Sequence, residues 1–354
     1  MQNRRIKNVE STSIGKCPGK NDDDIYIGEN YAVVIDGVSN KSTIERDGKK
    51  IGVANIITEA IRKLDGKHAP NYAKELEFEK FTDWVNLYIK KYCEHIGYDL
   101  SKDPLEATGA IYSRVHNQIW LVGDCRAIYD GKVIQNELKI DEIYAELRAR
   151  IINILLENGY TERDLFKRDI SKEFIKEPEK IPEVIQDKSV MQKIEETIQT
   201  TMHETLLKCG FSEEEIEEGN LLQKYNTPKK LQEYFKNNPN ANEYGYSVFN
   251  GIKTESKNCI VQDLPEDVRH IRLFSDGFPV EILNNDKDLG YAIRANRRLA
   301  EIDPLCINEN RGVKGTSKQT QREDNILAFD DASAVDIMIE RIEERDEDRR
   351  KYSF

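Results

Sequence analysis

Between Ile25 and Val38 polar and apolar residues alternate around a wholly apolar stretch, Tyr31-Ala32-Val33-Val34-Ile35. A break at Gly28-Glu29-Asn30 divides the segment into two strands of a hairpin, which would carry Asp22 or Asp23 back toward Asp36. The period then changes. Val53, Ile56, Ile57, Ala60, Ile61 and Leu64 recur at helical spacing, as do Phe81, Trp84, Val85, Tyr88, Ile89 and Tyr92, so the spacing predicts two amphipathic helices packed on a sheet, with their aromatic residues in the core. From Ala107 to Ile134 strands return, through Ala110-Ile111-Tyr112, Gln118-Ile119-Trp120-Leu121-Val122 and Arg126-Ala127-Ile128-Tyr129, and a turn at Val122-Gly123-Asp124-Cys125 exposes Asp124.

Residues 135 to 245 change character and read as mainly helical, as in Ile143 to Leu156 and Val190 to Leu207. Ser212 followed by Glu213-Glu214-Glu215 is a capped, solvated helix start. Strand patterning resumes from Tyr244-Gly245-Tyr246 and runs through Ile271-Arg272-Leu273-Phe274 into Asp276. A helix over Leu289 to Ile302, a polar loop over Asp303 to Asp324 and a last strand over Ala334 to Ile339 follow. The expected organisation is a mixed α and β core from residues 1–134 and 246–354, a helical insertion at 135–245, and a charged tail at 340–354 that is a solvated helix or disordered.

Composition narrows the function classes. With 354 residues the chain is long enough for a large core, and 33% charged residues imply a heavily solvated surface. The net charge of −12 argues against nonspecific binding to nucleic acid or anionic membranes. No apolar run is long enough to span a bilayer and the start lacks a signal-peptide stretch, so a cytoplasmic protein is expected. Six cysteines without a C-x-x-C pair are expected to be reduced thiols, and the five histidines show no metal-ligand spacing.

The candidate chemistry lies in four acidic stretches: Asn21-Asp22-Asp23-Asp24, Val33-Val34-Ile35-Asp36-Gly37, Leu273-Phe274-Ser275-Asp276-Gly277 and Phe329-Asp330-Asp331-Ala332-Ser333. Three of them place Asp where an apolar run ends. Hard divalent cations prefer carboxylate oxygen, and a neighbouring Gly lets a carbonyl or water approach the ion. Other Asp-Gly pairs, at Asp47-Gly48, Asp65-Gly66 and Asp130-Gly131, read as turns.

The order and wording of these stretches resemble the metal-dependent type 2C serine/threonine protein phosphatases, whose signatures run N-E-D, apolar-D-G, V-G-D-S-R-A, S-D-G and D-N or D-D. The corresponding residues are Asn21-Asp22-Asp23, Ile35-Asp36-Gly37, Val122-Gly123-Asp124-Cys125-Arg126-Ala127, Ser275-Asp276-Gly277 and Asp330-Asp331. The resemblance implies an α+β fold, a four-layer α-β-β-α sandwich of two antiparallel sheets flanked by helices. It implies hydrolysis of phosphoserine and phosphothreonine in protein substrates by a water activated between two Mg²⁺ or Mn²⁺ ions, attacking phosphorus in line.

On that resemblance Asp36 bridges the ions, the Gly37 carbonyl adds a ligand, Asp276 and Asp330 hold the other side, and these three aspartates are the catalytic set. Asp22 and Asp23 act near the second ion, Asp22 through water, and Asp124 contributes to a third, weaker metal site. A phosphorylated protein is the implied partner, with a cognate kinase acting in opposition.

The chain departs from the family pattern in places. Val38-Ser39-Asn40 follows Asp36-Gly37 where bacterial members have M-G-G and eukaryotic ones a His. The phosphate-binding Arg before N-E-D is missing, leaving Lys16 or Lys20 as a point charge, and Cys125 stands for Ser. Two other readings therefore stand beside the enzyme: a phosphatase-like protein that binds phosphoproteins without turnover, and a regulatory interaction protein working through the insertion. The insertion itself is either a stabilising subdomain or a platform for substrate or partner.

Overall fold

Strand β3 (Tyr31–Gly37) is apolar on successive residues because it has a core on each side. Tyr31, Val33 and Ile35 pack toward two helices, whereas Ala32 and Val34 pack into the space between two sheets. In this computed structural model the described residues are 4–15, 21–38, 43–46, 49–66, 76–136, 138–161, 185–277 and 331–341.

One sheet has the order β10 (Ile260–Asp263), β7 (Gln118–Val122), β6 (Ala107–Ser113), β3, β2 (Asp24–Ile27). The other has the order β1 (Arg4–Ile14), β12 (Ala332–Arg341), β11 (His270–Phe274), β8 (Arg126–Tyr129), β9 (Lys132–Gln135). Every pairing in both is antiparallel. Ala110, Tyr112, Ile119 and Leu121 of the first sheet face Ala127, Leu273, Val335 and Ile337 of the second across a buried apolar layer. The architecture is α+β, two antiparallel sheets with helices, as expected. The helix expected over Leu289 to Ile302 lies outside the described residues.

Helix α1 (Val53–Asp65) buries Ile56, Ile57, Ala60, Ile61 and Leu64, the face its spacing predicts. Helix α2 (Phe78–Ile96) buries Phe81, Val85, Ile89 and Cys93 and ends at Gly97, whose left-handed φ of 72° closes the last turn on the Cys93 and Glu94 carbonyls. Phe81 and Trp120 lie 5.1 Å apart, with Tyr31 5.2 Å from Phe81, an aromatic contact between helix and sheet. Trp84 departs from the expectation that α2's aromatics are core: it is 36% exposed. A residue one position off the buried stripe needs only its ring edge covered, and its indole N–H reaches the Ala60 carbonyl at 3.4 Å.

The helical stretch contains α3 (Lys139–Glu157), α4 (Lys188–Lys208), α5 (Glu213–Glu218), α6 (Leu221–Lys224) and α7 (Pro228–Phe235). They share a core built on Leu147, Ile151, Ile194, Leu206, Leu231 and Phe235. Ser212 caps α5 reciprocally with Glu215, as the sequence signature requires, and Pro228 begins α7 where its missing N–H costs nothing.

The strand expected from Tyr244 is not one. Residues 244–255 run irregularly, touching the sheet through a single bridge between Phe249 and Ala107, and regular pairing begins only at Ile260. Tyr244, Tyr246 and Val248 are apolar at alternate positions because they close the helical core, which mimics strand periodicity. Two elements had no expectation: β1, which pairs along β12, and the hairpin of β4 (Thr43–Arg46) with β5 (Lys49–Gly52). Four cysteines, Cys93, Cys125, Cys209 and Cys259, are free thiols. Among the described residues no helix is long and apolar enough to cross a membrane.

Candidate metal centre

Antiparallel pairing brings the acidic stretches together. The C-terminal end of β3 lies against the N-terminal ends of β2 and β6, with Asp24 opposite Ile35 and Ala107 opposite Gly37. The end of β7 adjoins the same part of β6, and the end of β11 adjoins the starts of β8 and β12. Residues distant in sequence, each just past an apolar strand, therefore share one edge of the sandwich.

Asp36, Asp124 and Asp276 are the result. Each offers a carboxylate oxygen, and these oxygens lie within 4.8 Å of one another, with all three side chains half-buried. Three like charges at that spacing repel strongly, and a hard divalent cation is the species that turns such a set from costly to favourable.

Asp23 adds to the strain. It is 7% exposed, neither of its carboxylate oxygens finds a hydrogen-bond partner among the described residues, and burial, then the charges of Asp36 and Asp331, push its pKa well above the ordinary range. The Ser275 and Ser333 hydroxyls lie toward Asp23 and ease the shift in part. They do not meet it in good geometry: the Ser275 hydroxyl donates to the Ser333 carbonyl at 3.5 Å, and the Ser333 hydroxyl is 2.6 Å from that of Ser13. Acceptor oxygens buried without donors, beside three converging carboxylates, fit a cation better than any arrangement of the protein alone.

The other expected residues fall as follows. Asp22 is held through its backbone: its carbonyl accepts from Gly37 N at 3.1 Å and its N–H donates to Asp331 Oδ2 at 3.1 Å. Gly37 closes β3 directly after Asp36. Lys16, Lys20 and Asp330 lie outside the described residues. Of the turn readings, Asp130-Gly131 holds, with φ of 43° and 83° between β8 and β9. Asp65-Gly66 does not: Asp65 is buried and accepts from Asn30 N at 2.9 Å and Asn30 Nδ2 at 2.7 Å, tying α1 to the hairpin of β2 and β3. Asp47-Gly48 lies outside the described residues.

Two residues escaped the sequence reading. Thr108 sits opposite Asp36 in the β3–β6 register and donates its hydroxyl to Asp124 Oδ1 at 3.0 Å, so one side chain links two of the acidic strand ends. The signal was a polar residue inside the apolar run Ala107 to Tyr112. Asp331, read only as the neighbour of Asp330, is 5% exposed and anchors the Asp22 backbone. Its own backbone passes so close to Gly277 that a Cβ there would lie 2.1 Å from the Asp331 carbonyl oxygen, which is why the S-D-G stretch ends on a glycine.

Cys125 follows Asp124 but offers no nucleophile. Its thiol is fully buried, and desolvation, then the charges of Asp36 and Asp124, raise its pKa well above the usual value, so it stays protonated. Among the described histidines, His203 pairs with Glu213 and His270 with Asp336, both away from the acidic cluster in the packing.

No family model matches this chain, and no curated protein matches it. Solved structures do. The Mycobacterium tuberculosis serine/threonine phosphatase PstP/Ppp is 14% identical with a TM-score of 0.38, covering 94% of this chain and 97% of its own. The Staphylococcus aureus serine/threonine phosphatase Stp1 is 12% identical with a TM-score of 0.39, covering 95% and 96%. The PstP catalytic domain in complex with two manganese ions is 12% identical with a TM-score of 0.38, covering 95% and 98%. Likeness at this level decides nothing about activity, which rests on the residues of this chain.

Proposed function

We propose that this chain is a Mg²⁺- or Mn²⁺-dependent phosphomonoester hydrolase acting on phosphoserine and phosphothreonine in proteins. The observation that carries the reading is the convergence of Asp36, Asp124 and Asp276, with the Asp23 carboxylate, which has no hydrogen-bond partner among the described residues, buried beside them. The order of the acidic stretches along the sequence supports the same reading, and so does the Gly37 carbonyl next to Asp36. Divalent ions bound there would neutralise the phosphate ester and lower the pKa of a water.

Around that chemistry each protein group has a separate task. Asp36, Asp124 and Asp276 supply hard oxygens, joined in the proposal by Asp330 and the Gly37 carbonyl. Asp23 and Asp22 complete the acidic wall, and Thr108 fixes the rotamer of Asp124 by its hydrogen bond. Lys16 or Lys20 is the candidate cation for the substrate phosphate.

The test is hydrolysis of an aryl phosphate and of a phosphothreonine peptide, each with Mn²⁺, with Mg²⁺ and with chelator. Turnover of both that vanishes on chelation is expected; undiminished turnover in chelator contradicts the proposal. A protein that binds Mn²⁺ and the phosphopeptide yet turns over neither substrate would be the non-catalytic binding protein instead.

Two substitution series refine it. Thr108→Val keeps the side-chain shape and removes the donor to Asp124; a loss of about 10-fold in metal-dependent turnover is expected, restored in Thr108→Ser. If Thr108→Ser is as poor as Thr108→Val, packing rather than the hydroxyl is what matters. Asp331→Asn is expected to be mild, within about 3-fold, because an amide oxygen still accepts from Asp22 N and one like charge beside Asp23 is gone. Asp276→Asn and Asp330→Asn are expected to abolish turnover. Loss in Asp331→Asn with activity kept in Asp330→Asn would shift the metal ligand by one residue.

A further inference from the structure

The helical stretch does not end at a neutral linker. The residue that follows α7, Lys236, places its ammonium 2.7 Å from Glu106 Oε1, and the two side chains are 7% and 6% exposed. The next residue, Asn237, donates its backbone N–H to the Tyr246 carbonyl and its amide to the Val248 carbonyl at 3.1 Å, while its amide oxygen accepts from Val248 N at 3.1 Å. The returning chain is thereby fastened to the same point, and it then pairs with the sheet: Phe249 and Ala107 exchange two backbone hydrogen bonds of 2.9 and 3.0 Å.

Glu106 occupies a particular place. Its carbonyl accepts from Val38 N at 3.0 Å, directly after Asp36-Gly37, and two residues later Thr108 holds Asp124. Gly123, before Asp124, is also close to the returning chain: a Cβ on it would lie 3.3 Å from the Ser247 carbonyl oxygen. The start of the helical stretch is tied at the same spot, since Asn136 Nδ2 donates to the Gly123 carbonyl at 2.9 Å. A buried ion pair is a poor source of stability compared with apolar packing, but it fixes a geometry strongly, because each charge is costly anywhere else.

We infer that Lys236 is a positioning residue: through Glu106 it locks the helical stretch onto the strand ends that carry Asp36 and Asp124, so that the acidic site is held in register by the insertion. The consequence for turnover rests on the hydrolase reading above; the locking itself does not.

The experiment uses the full chain in three forms. Lys236→Met takes the ammonium away from the buried Glu106 and from Glu233, which it also meets; the double variant Glu106→Gln with Lys236→Met removes both charges of the buried pair and keeps the packing, so it is folded even where the single variant is not. Ile194→Ala opens the helical core without touching the pair. Backbone hydrogen exchange is followed at residues 36–38 and 106–109 in metal-free protein, and Mn²⁺ affinity by titration.

The double variant is expected to exchange at least about 10-fold faster at those residues and to bind Mn²⁺ about 10-fold more weakly, with Ile194→Ala at wild-type values for both. Wild-type exchange there in the double variant, or equal loosening in Ile194→Ala, overturns the inference. A wild-type chain that fails to bind Mn²⁺ sinks the hydrolase reading alone, and the exchange rates still decide this one.

Discussion

Asp36→Asn is expected to reduce metal-dependent hydrolysis by at least ~10³-fold while leaving the fold intact. The amide has the shape of the carboxylate and the position lies at a strand end, half-buried, where no packing is lost. What disappears is one of the three converging charges, alongside those of Asp124 and Asp276. Circular dichroism and a denaturant melt separate this from unfolding: turnover falls, whereas the melt is unchanged or shifts upward as one like charge is removed. Turnover within about 10-fold of wild type would show that the cluster is not the reacting centre.

Asp23→Asn is expected to move two observables in opposite directions. Asp23 is buried and flanked by the charges of Asp36 and Asp331, which is why its pKa is raised, and among the described residues its carboxylate oxygens have no hydrogen-bond partner. A group whose pKa is raised by folding contributes its full stability only below the unfolded value of 3.8, and loses that contribution as pH climbs through the folded value. At neutral pH the metal-free wild type therefore pays either to bury the charge or to take up a proton, and the Asn variant does neither. In chelator at pH 7 the variant should melt several degrees higher than wild type. The advantage should shrink as pH falls toward the ordinary carboxylate range, where Asp23 is protonated in both states. Mn²⁺ should stabilise the variant less than the wild type, because ligand binding to the native state is what repays the buried charge. A variant that is less stable than wild type in chelator at pH 7 would mean that Asp23 is satisfied within the protein.

The legible part of the fold was the part governed by local periodicity. Helices α1 and α2 follow a spacing that only a helix satisfies, strands β3, β7 and β11 are short apolar runs too brief for a helix, and Asp36 and Asp276, each placed after such a run, do sit at strand ends. Strand β1 was missed because between Asn8 and Ser13 only Val9 is apolar, so no alternation shows; it is held by backbone pairing to β12, whose Val335 and Ile337 supply the burial. Tyr244 to Val248 misled for the opposite reason, alternation produced by packing on helices and not by a ladder.

The site was legible in its acids and not in its supports. Asp36, Asp124 and Asp276 announce themselves by residue type. Thr108, Asp331, Glu106 and Lys236 matter through strand register and the return path of the chain, neither of which local sequence encodes. Asp65 shows the same limit from the other side, since a Leu-Asp-Gly that reads as a turn is a buried acceptor fixing the hairpin that carries Asp23.

Equilibrium Mn²⁺ binding to the wild-type chain and to Asp36→Asn, followed by calorimetry in parallel with aryl phosphate hydrolysis, tests the central claim most directly. The account predicts that the wild type binds about two ions per chain and hydrolyses the ester only when loaded. It predicts that Asp36→Asn loses most of the binding and the turnover together. Hydrolysis by a wild-type chain that binds no Mn²⁺ or Mg²⁺, or binding that Asp36→Asn leaves unchanged, would contradict it.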